Sequence, residues 1–267
     1  MLVSAFELFR QAIVNESMKL SSRIVAHRGY PSQYPENTLI GLRAALDAGA
    51  QAIEFDVQCS ADGTPYVFHD DTLDRLTGAS GHIYRHNDTY IEQLFAHYPE
   101  RFGDSYHGNR VSSLSAVARL LASYPEVDVF IEPKVHSLDH FGVVPVMDRI
   151  LRDTQSLAGN RHIISFHHRA LAYARQQGCH SIAWVLDDFS HASRQLAQQL
   201  KPDILCTSYK IAPDHLPVWG DNEWMIYTAD DLARIEHLAQ RGYRWIETDD
   251  IGHVMRALKQ REETSTP

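Results

Sequence analysis

Short apolar runs alternate with amphipathic stretches along almost the whole chain. Eight runs read as strands: 23–28 (RIVAHR), 52–57 (AIEFDV), 128–132 (DVFIE), 162–166 (HIISF), 181–186 (SIAWVL), 203–207 (DILCT), 223–227 (EWMIY) and 244–247 (RWIE). Each is short, β-branched or aromatic and largely apolar, the pattern of strands buried on both faces of a parallel sheet. Helical periodicity predicts helices between them, over 37–48, 112–123, 139–152, 168–177, 190–199, 229–241 and 252–261. Gly49, Gly178 and Gly242 stand where helices should end in a left-handed residue. Residues 208–222 read as a loop with at most one helical turn. Eight strands alternating with helices predict an α/β protein, a (β/α)8 TIM barrel over residues 23–262 with no second domain.

Two stretches depart from the alternation. After the second strand, Asp62-Gly63 signals a turn and residues 65–69 read as a further strand, so an extra β-hairpin arm is expected. Residues 71–110 are polar, with four histidines (His82, His86, His97, His107), and predict a lid or insertion with some helix around 88–97. At the start, Leu2, Phe6, Phe9 and Ile13 recur at helical spacing, which predicts an amphipathic helix in residues 1–22 packed on the barrel. Residues 263–267 are expected to fray.

Composition narrows the partners. The chain has 267 residues and is 44% hydrophobic, enough for a sizeable core without disulfide staples. Twenty-five Lys and Arg against 34 Asp and Glu give a formal charge of −9, which disfavours a general nucleic-acid binder but allows one basic pocket. Cys59, Cys179 and Cys206 are odd in number and far apart, which points to a reducing compartment. The first residues carry Glu7 and Arg10 early and make a poor signal peptide. Apolar runs stay far below the roughly 20 residues of a spanning helix. A cytoplasmic location and a small-molecule partner are therefore expected, with no stable membrane insertion. Oligomeric state is not readable.

The chemistry should lie at the C-terminal ends of the barrel strands. There the first strand ends in His27-Arg28-Gly29, the second holds Glu54-Phe55-Asp56, the arm ends in His69-Asp70, and the third strand ends in Glu132-Pro133-Lys134. Glu54 and Asp56 are two apart and share a strand face. An inward carboxylate pair requires a cation or a proton, unless one member pairs with a rim Lys or Arg. Symmetric pairing about Asp62-Gly63 would set Asp56 opposite His69, and Glu132 adds a third carboxylate. Such an oxygen set suits one hard divalent ion, Mg²⁺ or Ca²⁺. Taken singly, each histidine reads as structural; beside clustered carboxylates they suit a general acid and a general base. Arg28 and Lys134 either neutralise the carboxylates or clamp an anion, phosphate above all.

AHRGYPSQYPENT followed by AIEFDVQCSADGTPYVFHDDTLDRLT resembles the glycerophosphodiester phosphodiesterase family. The family pattern runs HRG…PENT, then E-x-D with a DG turn, then HD-x-x-L-x-R. Its later E-x-K strand end is matched by Glu132-Pro133-Lys134, and Ser165-Phe166 is a weaker match. The resemblance covers most of residues 23–250. The family's barrel is related to the phosphatidylinositol-type phospholipases C. The resemblance implies metal-dependent cleavage of glycerophosphodiesters to sn-glycerol 3-phosphate and an alcohol. By position it implies His27 and His69 as the acid–base pair, Glu54, Asp56 and Glu132 as metal ligands, and Arg28 and Lys134 as phosphate holders. Glu36-Asn37 would orient the catalytic loop and cap helix 37–48, a purely structural cap being the alternative.

His162, His167 and His168 match no family role and are expected at the surface or in loops. The chain departs from the family late. WTVN reads here as Tyr227-Thr228-Ala229-Asp230, and TDxP as Thr248-Asp249-Asp250-Ile251. Neither departure is expected to touch the catalytic pairs. Tyr227 should face the mouth beside the substrate or, alternatively, fill a barrel-end layer. A sugar-phosphate isomerase or aldolase and a non-catalytic phosphodiester-binding protein are the competing readings.

Overall fold

The computed structural model describes residues 20–264. The helix expected in residues 1–22 falls mostly outside this range, as do residues 265–267. Eight parallel strands close on themselves: β1 (Ile24–Ala26), β2 (Ala52–Cys59), β5 (Asp128–Pro133), β6 (Arg161–Ser165), β7 (Ser181–Val185), β8 (Ile204–Ser208), β9 (Glu223–Tyr227) and β10 (Trp245–Thr248). β1 pairs with both β2 and β10, which completes the barrel. The predicted TIM barrel is the observed fold.

Period-two alternation sorts the strand residues. Val25, Ala52, Phe130, Ile164, Ala183 and Met225 fill the inside of the barrel. Ile53, Phe55, Ile131, Ile163 and Ile182 face outward and pack in the larger cluster under the helices. That cluster takes in Leu42 and Ala45 of α1 (Leu39–Asp47). Thr38 caps α1, its Oγ1 accepting from Gly41 N at 3.2 Å, a contact that typically contributes about 1 kcal/mol.

Several expectations are corrected. The cap of α1 is Thr38, not Asn37, whose φ of +58° and side chain are used elsewhere. The helix expected over 139–152 is two helices that break at left-handed Gly142 (φ +86°): one over Val135–Phe141 and one over Val143–Asp153. The final helix runs from Ile251 to Thr264, into the stretch expected to fray. His162 is neither at the surface nor in a loop. Its ring stacks on Phe130 with centroids 4.4 Å apart and bonds with Ser181 Oγ and Asp128 Oδ1, because its place on β6 points it into the barrel floor.

β2 overruns the barrel and pairs antiparallel with β3 (Pro65–Val67), which pairs with β4 (Ser112–Ser113). The arm is present, but its register differs by one residue from the symmetric pairing. Val57 faces Val67, Gln58 faces Tyr66, and Phe68 N donates to Asp56 O at 2.9 Å. Asp56 thus lies opposite Phe68, not His69. The cause is a wider connection: Ser60 N donates to Thr64 O, so the turn centres on Asp62 alone. Residues 71–110 contain short helical turns at Asp74–Thr77, Ile83–Arg85, Asp88–Ile91 and Pro99–Phe102. Leu73, Leu76, Ile83 and Ile91 join Tyr66 and Phe68 of the arm in a separate apolar cluster. Tyr106 and Arg101 bond to the backbone of Gln33 and Ser32, tying the segment to the loop after β1.

Candidate active site

The loop after β1 is shaped by two left-handed residues, Arg28 (φ +54°) and Gly29 (φ +90°). A Cβ on Gly29 would come within 2.8 Å of the Gly41 backbone, so only glycine lets the loop lie against α1. Arg28 N donates to Glu54 Oε2 at 3.1 Å, and Asn37 N donates to Arg28 O. His27, at the tip of β1, is thereby held over the barrel mouth.

Glu54 and Asp56 point inward between the outward Ile53 and Phe55, and Asp56 is in register with Glu132 of β5. One oxygen from each of Glu54, Asp56 and Glu132 lies within 4.8 Å of the others. Asp56 is fully enclosed. Asn37 Nδ2 donates to its Oδ2 at 2.9 Å, and Lys134 Nζ spans its Oδ1 (3.1 Å) and Glu132 Oε1 (2.8 Å). Arg28 Nε is 3.1 Å from Asp56 Oδ2, an ion pair without hydrogen-bond alignment. Burial opposes ionisation of Asp56, but Lys134, Arg28 and His69 outweigh it and hold the carboxyl far below its usual range. Glu54 goes the other way. Burial first, then the charges of Asp56, Glu247 and Glu132, push it well above the usual carboxylate range. A buried carboxyl crowded by like charges is relieved by a proton or a cation. The all-oxygen donor set fits a hard divalent ion, not a thiolate or imidazole metal centre.

Each mouth histidine is anchored by its own carboxylate. His69 Nδ1 bonds Asp70 Oδ1 at 2.8 Å. Arg75 then forks onto Asp70 through Nε and Nη2 and onto Glu36 through Nη1 and Nη2, all at 2.7–2.9 Å. Glu36 also accepts from Arg28 Nη1 at 3.0 Å. A continuous ladder therefore joins Arg28 to His69. Gln58, the next inward residue after Asp56, donates to the carbonyls of His69 and Asp70. That grip turns His69 into the site despite the shifted register of the arm.

His27 Nδ1 lies 2.7 Å from Asp249 Oδ1, and its Nε2 lies 4.0 Å from Glu54 Oε2. Asp230 Oδ1 accepts from Asp249 N (2.8 Å) and Thr248 Oγ1 (2.9 Å). The two late segments thus meet behind His27, which is touched by Asp249 of the Thr-Asp pair that matches the family pattern, while the departing residue Asp230 reaches only Thr248 and Asp249. Burial and the Arg28 charge lower the pKa of His27, but the Asp249 hydrogen bond and the charges of Glu247 and Asp249 prevail, and it is raised above its ordinary value near 6.5. A raised histidine pKa means that this contact stabilises the fold fully below the ordinary value and ceases to do so as pH rises through the raised one. In metal-free protein, Asp249→Asn should move the His27 titration, followed by imidazole NMR, to lower pH. An unmoved titration would remove Asp249 from control of His27.

His27, Arg28, Glu54, His69, Glu132, Lys134 and Tyr227 line one cavity of about 150 Å³ at the mouth. Asp56 sits behind Arg28 and Lys134, and Glu36 a step further back. Phe166 of the weaker family match lines the apolar side, and Ser165 staples the strand ends by donating to Pro133 O. Sequence inspection missed four residues. Arg75 was visible as the R of HD-x-x-L-x-R. Asp249 was visible in the TD pair, and Gln58 was the next step of the Glu54–Asp56 period. Glu247 matched no motif, its one signal being its place at the end of the predicted strand 244–247. It is buried, lines the cavity, and is pushed up to about 7 by burial and by Glu132 and Asp56, against the pull of His27 and Arg28.

The model of the glycerophosphoryl diester phosphodiesterase family matches residues 27–253. A glycerophosphodiester phosphodiesterase of Caldanaerobacter subterraneus subsp. tengcongensis is 26% identical over 86% of this chain and 95% of its own length. The crystal structure of a glycerophosphodiester phosphodiesterase from Agrobacterium tumefaciens aligns with a TM-score of 0.70 at 26% identity, over 88% of this chain and 99% of that one. An Oleispira antarctica phosphodiesterase, solved in complex with the product sn-glycerol-3-phosphate, shares the fold with a TM-score of 0.76 at 23% identity, over 89% and 96% of the two chains.

Proposed function

The chain belongs to the glycerophosphoryl diester phosphodiesterase family, and from that membership we propose that it hydrolyses glycerophosphodiesters to sn-glycerol 3-phosphate and an alcohol by two-histidine, cation-assisted catalysis. One observation carries the reading: two carboxylate-anchored imidazoles share a cavity with Arg28, Lys134 and the Glu54–Glu132 carboxylates. With Nδ1 of each ring engaged by Asp249 or Asp70, Nε2 is the nitrogen left for substrate. One imidazole takes the proton of the attacking oxygen, that of water or of the substrate's neighbouring hydroxyl, as that oxygen bonds to phosphorus, and in the second case water then opens the cyclic phosphate. The other delivers a proton to the departing alkoxide as the P–O bond breaks. Arg28 and Lys134 offer their remaining N–H groups to the phosphoryl oxygens, and Glu36 with Arg75 keeps Arg28 aimed. A divalent ion held by Glu54, Asp56 and Glu132 would neutralise charge on those oxygens.

The bound product of the Oleispira antarctica relative is consistent with this substrate class. A Schiff-base aldolase is disfavoured by Lys134. Burial lowers its pKa, but Asp56 and Glu132 outweigh it and keep the amine firmly protonated. The direct test is incubation with glycerophosphocholine, with Mg²⁺ or Ca²⁺ and with a chelator. Glycerol 3-phosphate and choline should form, and only when a cation is present. Phosphocholine as product would overturn the bond assignment. No turnover with either ion would favour a binding protein, and undiminished turnover in chelator would remove the cation from the mechanism.

A further inference from the structure

Glu247 lies outside every motif through which this site is legible. It is the third residue of β10, inward like Trp245 two residues before it, whose ring packs on Phe130 inside the barrel. Its register partner on β1 is Val25, two residues below His27, and continuing the β10–β9 register sets it beside Tyr227. The residue is 3% exposed, yet it lines the cavity. No hydrogen bond from any described residue reaches its carboxyl; the contact at this position is through the backbone, Ala229 N donating to Glu247 O. The nearby cationic groups are engaged: His27 with Asp249, and Arg28 with Glu36 and Asp56.

A buried carboxyl without donors costs folding free energy. The positions around it on the inner surface are apolar: Val25, Cys206, Met225 and Trp245. An apolar residue at 247 would suit the barrel better, so packing does not account for the glutamate. Facing the cavity, it takes its donor from what enters there, which is water or a substrate group that displaces the water. The phosphoryl group is drawn to the Arg28–Lys134 side, and the opposite wall of Ile164, Phe166 and Val185 offers no donor. Choline carries no N–H. The donors that glycerophosphocholine brings are therefore the hydroxyls of its glycerol.

We propose that Glu247 accepts a hydrogen bond from a glycerol hydroxyl of the substrate and so favours diesters of glycerol over phosphodiesters that lack such a hydroxyl. This rests on the phosphodiesterase reading of the cavity. Glu247→Leu keeps the volume and removes the acceptor; Glu247→Gln keeps an acceptor oxygen. The quantity to measure is the ratio of kcat/KM for glycerophosphocholine to that for bis(p-nitrophenyl) phosphate, which has no hydroxyl. Glu247→Leu should lower that ratio at least about tenfold, the scale of one hydrogen bond to a charged group, and Glu247→Gln should restore much of it. As a binding readout, the advantage of sn-glycerol 3-phosphate over inorganic phosphate as an inhibitor should shrink in Glu247→Leu. A folded Glu247→Leu with an unchanged ratio and unchanged inhibitor preference would overturn the role of Glu247 and leave the activity standing. A loss confined to glycerophosphoethanolamine would overturn it too, by placing an ammonium group at the carboxyl. A wild type inactive on glycerophosphocholine but active on the nitrophenyl diester would overturn both readings.

Discussion

Replacement of His27 or His69 with alanine should lower turnover of glycerophosphocholine by about 10²–10⁴-fold each, the usual contribution of a general acid or base. Both side chains face the mouth cavity and belong to none of the buried apolar clusters. Their truncation opens no void in those clusters, so both variants should fold, with His27→Ala losing at acidic pH the stability that the Asp249 contact supplies. The two variants should then separate on a substrate with a good leaving group. Nitrophenolate departs without a proton, so bis(p-nitrophenyl) phosphate should partly rescue the variant that lacks the acid and not the one that lacks the base. Near wild-type turnover of glycerophosphocholine in either variant would break the pair.

Glu54→Gln should weaken Mg²⁺ or Ca²⁺ binding and reduce turnover by about 10²-fold or more, in line with the several kcal/mol a metal contributes to stabilising charge on phosphoryl oxygens. Gln is close to isosteric, which avoids the harsher choice of Asp56. Removal of Asp56 would take one of two carboxylate partners from each of the buried cations Arg28 and Lys134, leaving Glu36 and Glu132 to offset them alone. The pH dependence has a definite sign. The pKa of Glu54 is raised in the folded, cation-free protein, so a proton competes with the ion, and affinity should climb as pH rises through that value. By linkage, the cation-free protein should lose the Glu54 share of its stability over the same rise, and bound cation should abolish the loss. Glu54→Gln should flatten both trends. Calorimetry in buffers of different ionisation enthalpy reads the released proton, and an unchanged release in Glu54→Gln would place the coupled proton elsewhere.

The limits of legibility follow from distance along the chain. Asp249 is 222 residues from His27 in sequence, yet 2.7 Å away in space. The Thr248-Asp249 pair marks the residue but not its partner, because barrel closure between β1 and β10 is what joins the two ends. Arg75 stood in a recognisable motif, but its role depends on bridging Asp70 to Glu36, 39 residues earlier. The arm was readable as a hairpin. Its register was not, since a turn centred on one residue and a turn centred on two share the same Asp-Gly signal. His162 looked like a spare polar residue at a strand start until the closed barrel gave it Asp128, Ser181 and Phe130 as neighbours.

Short apolar runs alternating with amphipathic stretches, the glycine punctuation and the clustered charges at strand ends were enough, by themselves, to determine the barrel and the side of it that carries Glu54, Asp56, Glu132, His27 and His69. Those are consequences of backbone geometry, in which a strand has two faces and a parallel barrel has one functional end. Only the tertiary structure decided which charge each carboxyl answers to. Asp56 is held ionised by Arg28 and Lys134, while Glu54 is pushed toward its neutral form and Glu247 faces the cavity without a donor. Electrostatic interaction falls with distance and rises with burial, and neither quantity exists until the chain has closed.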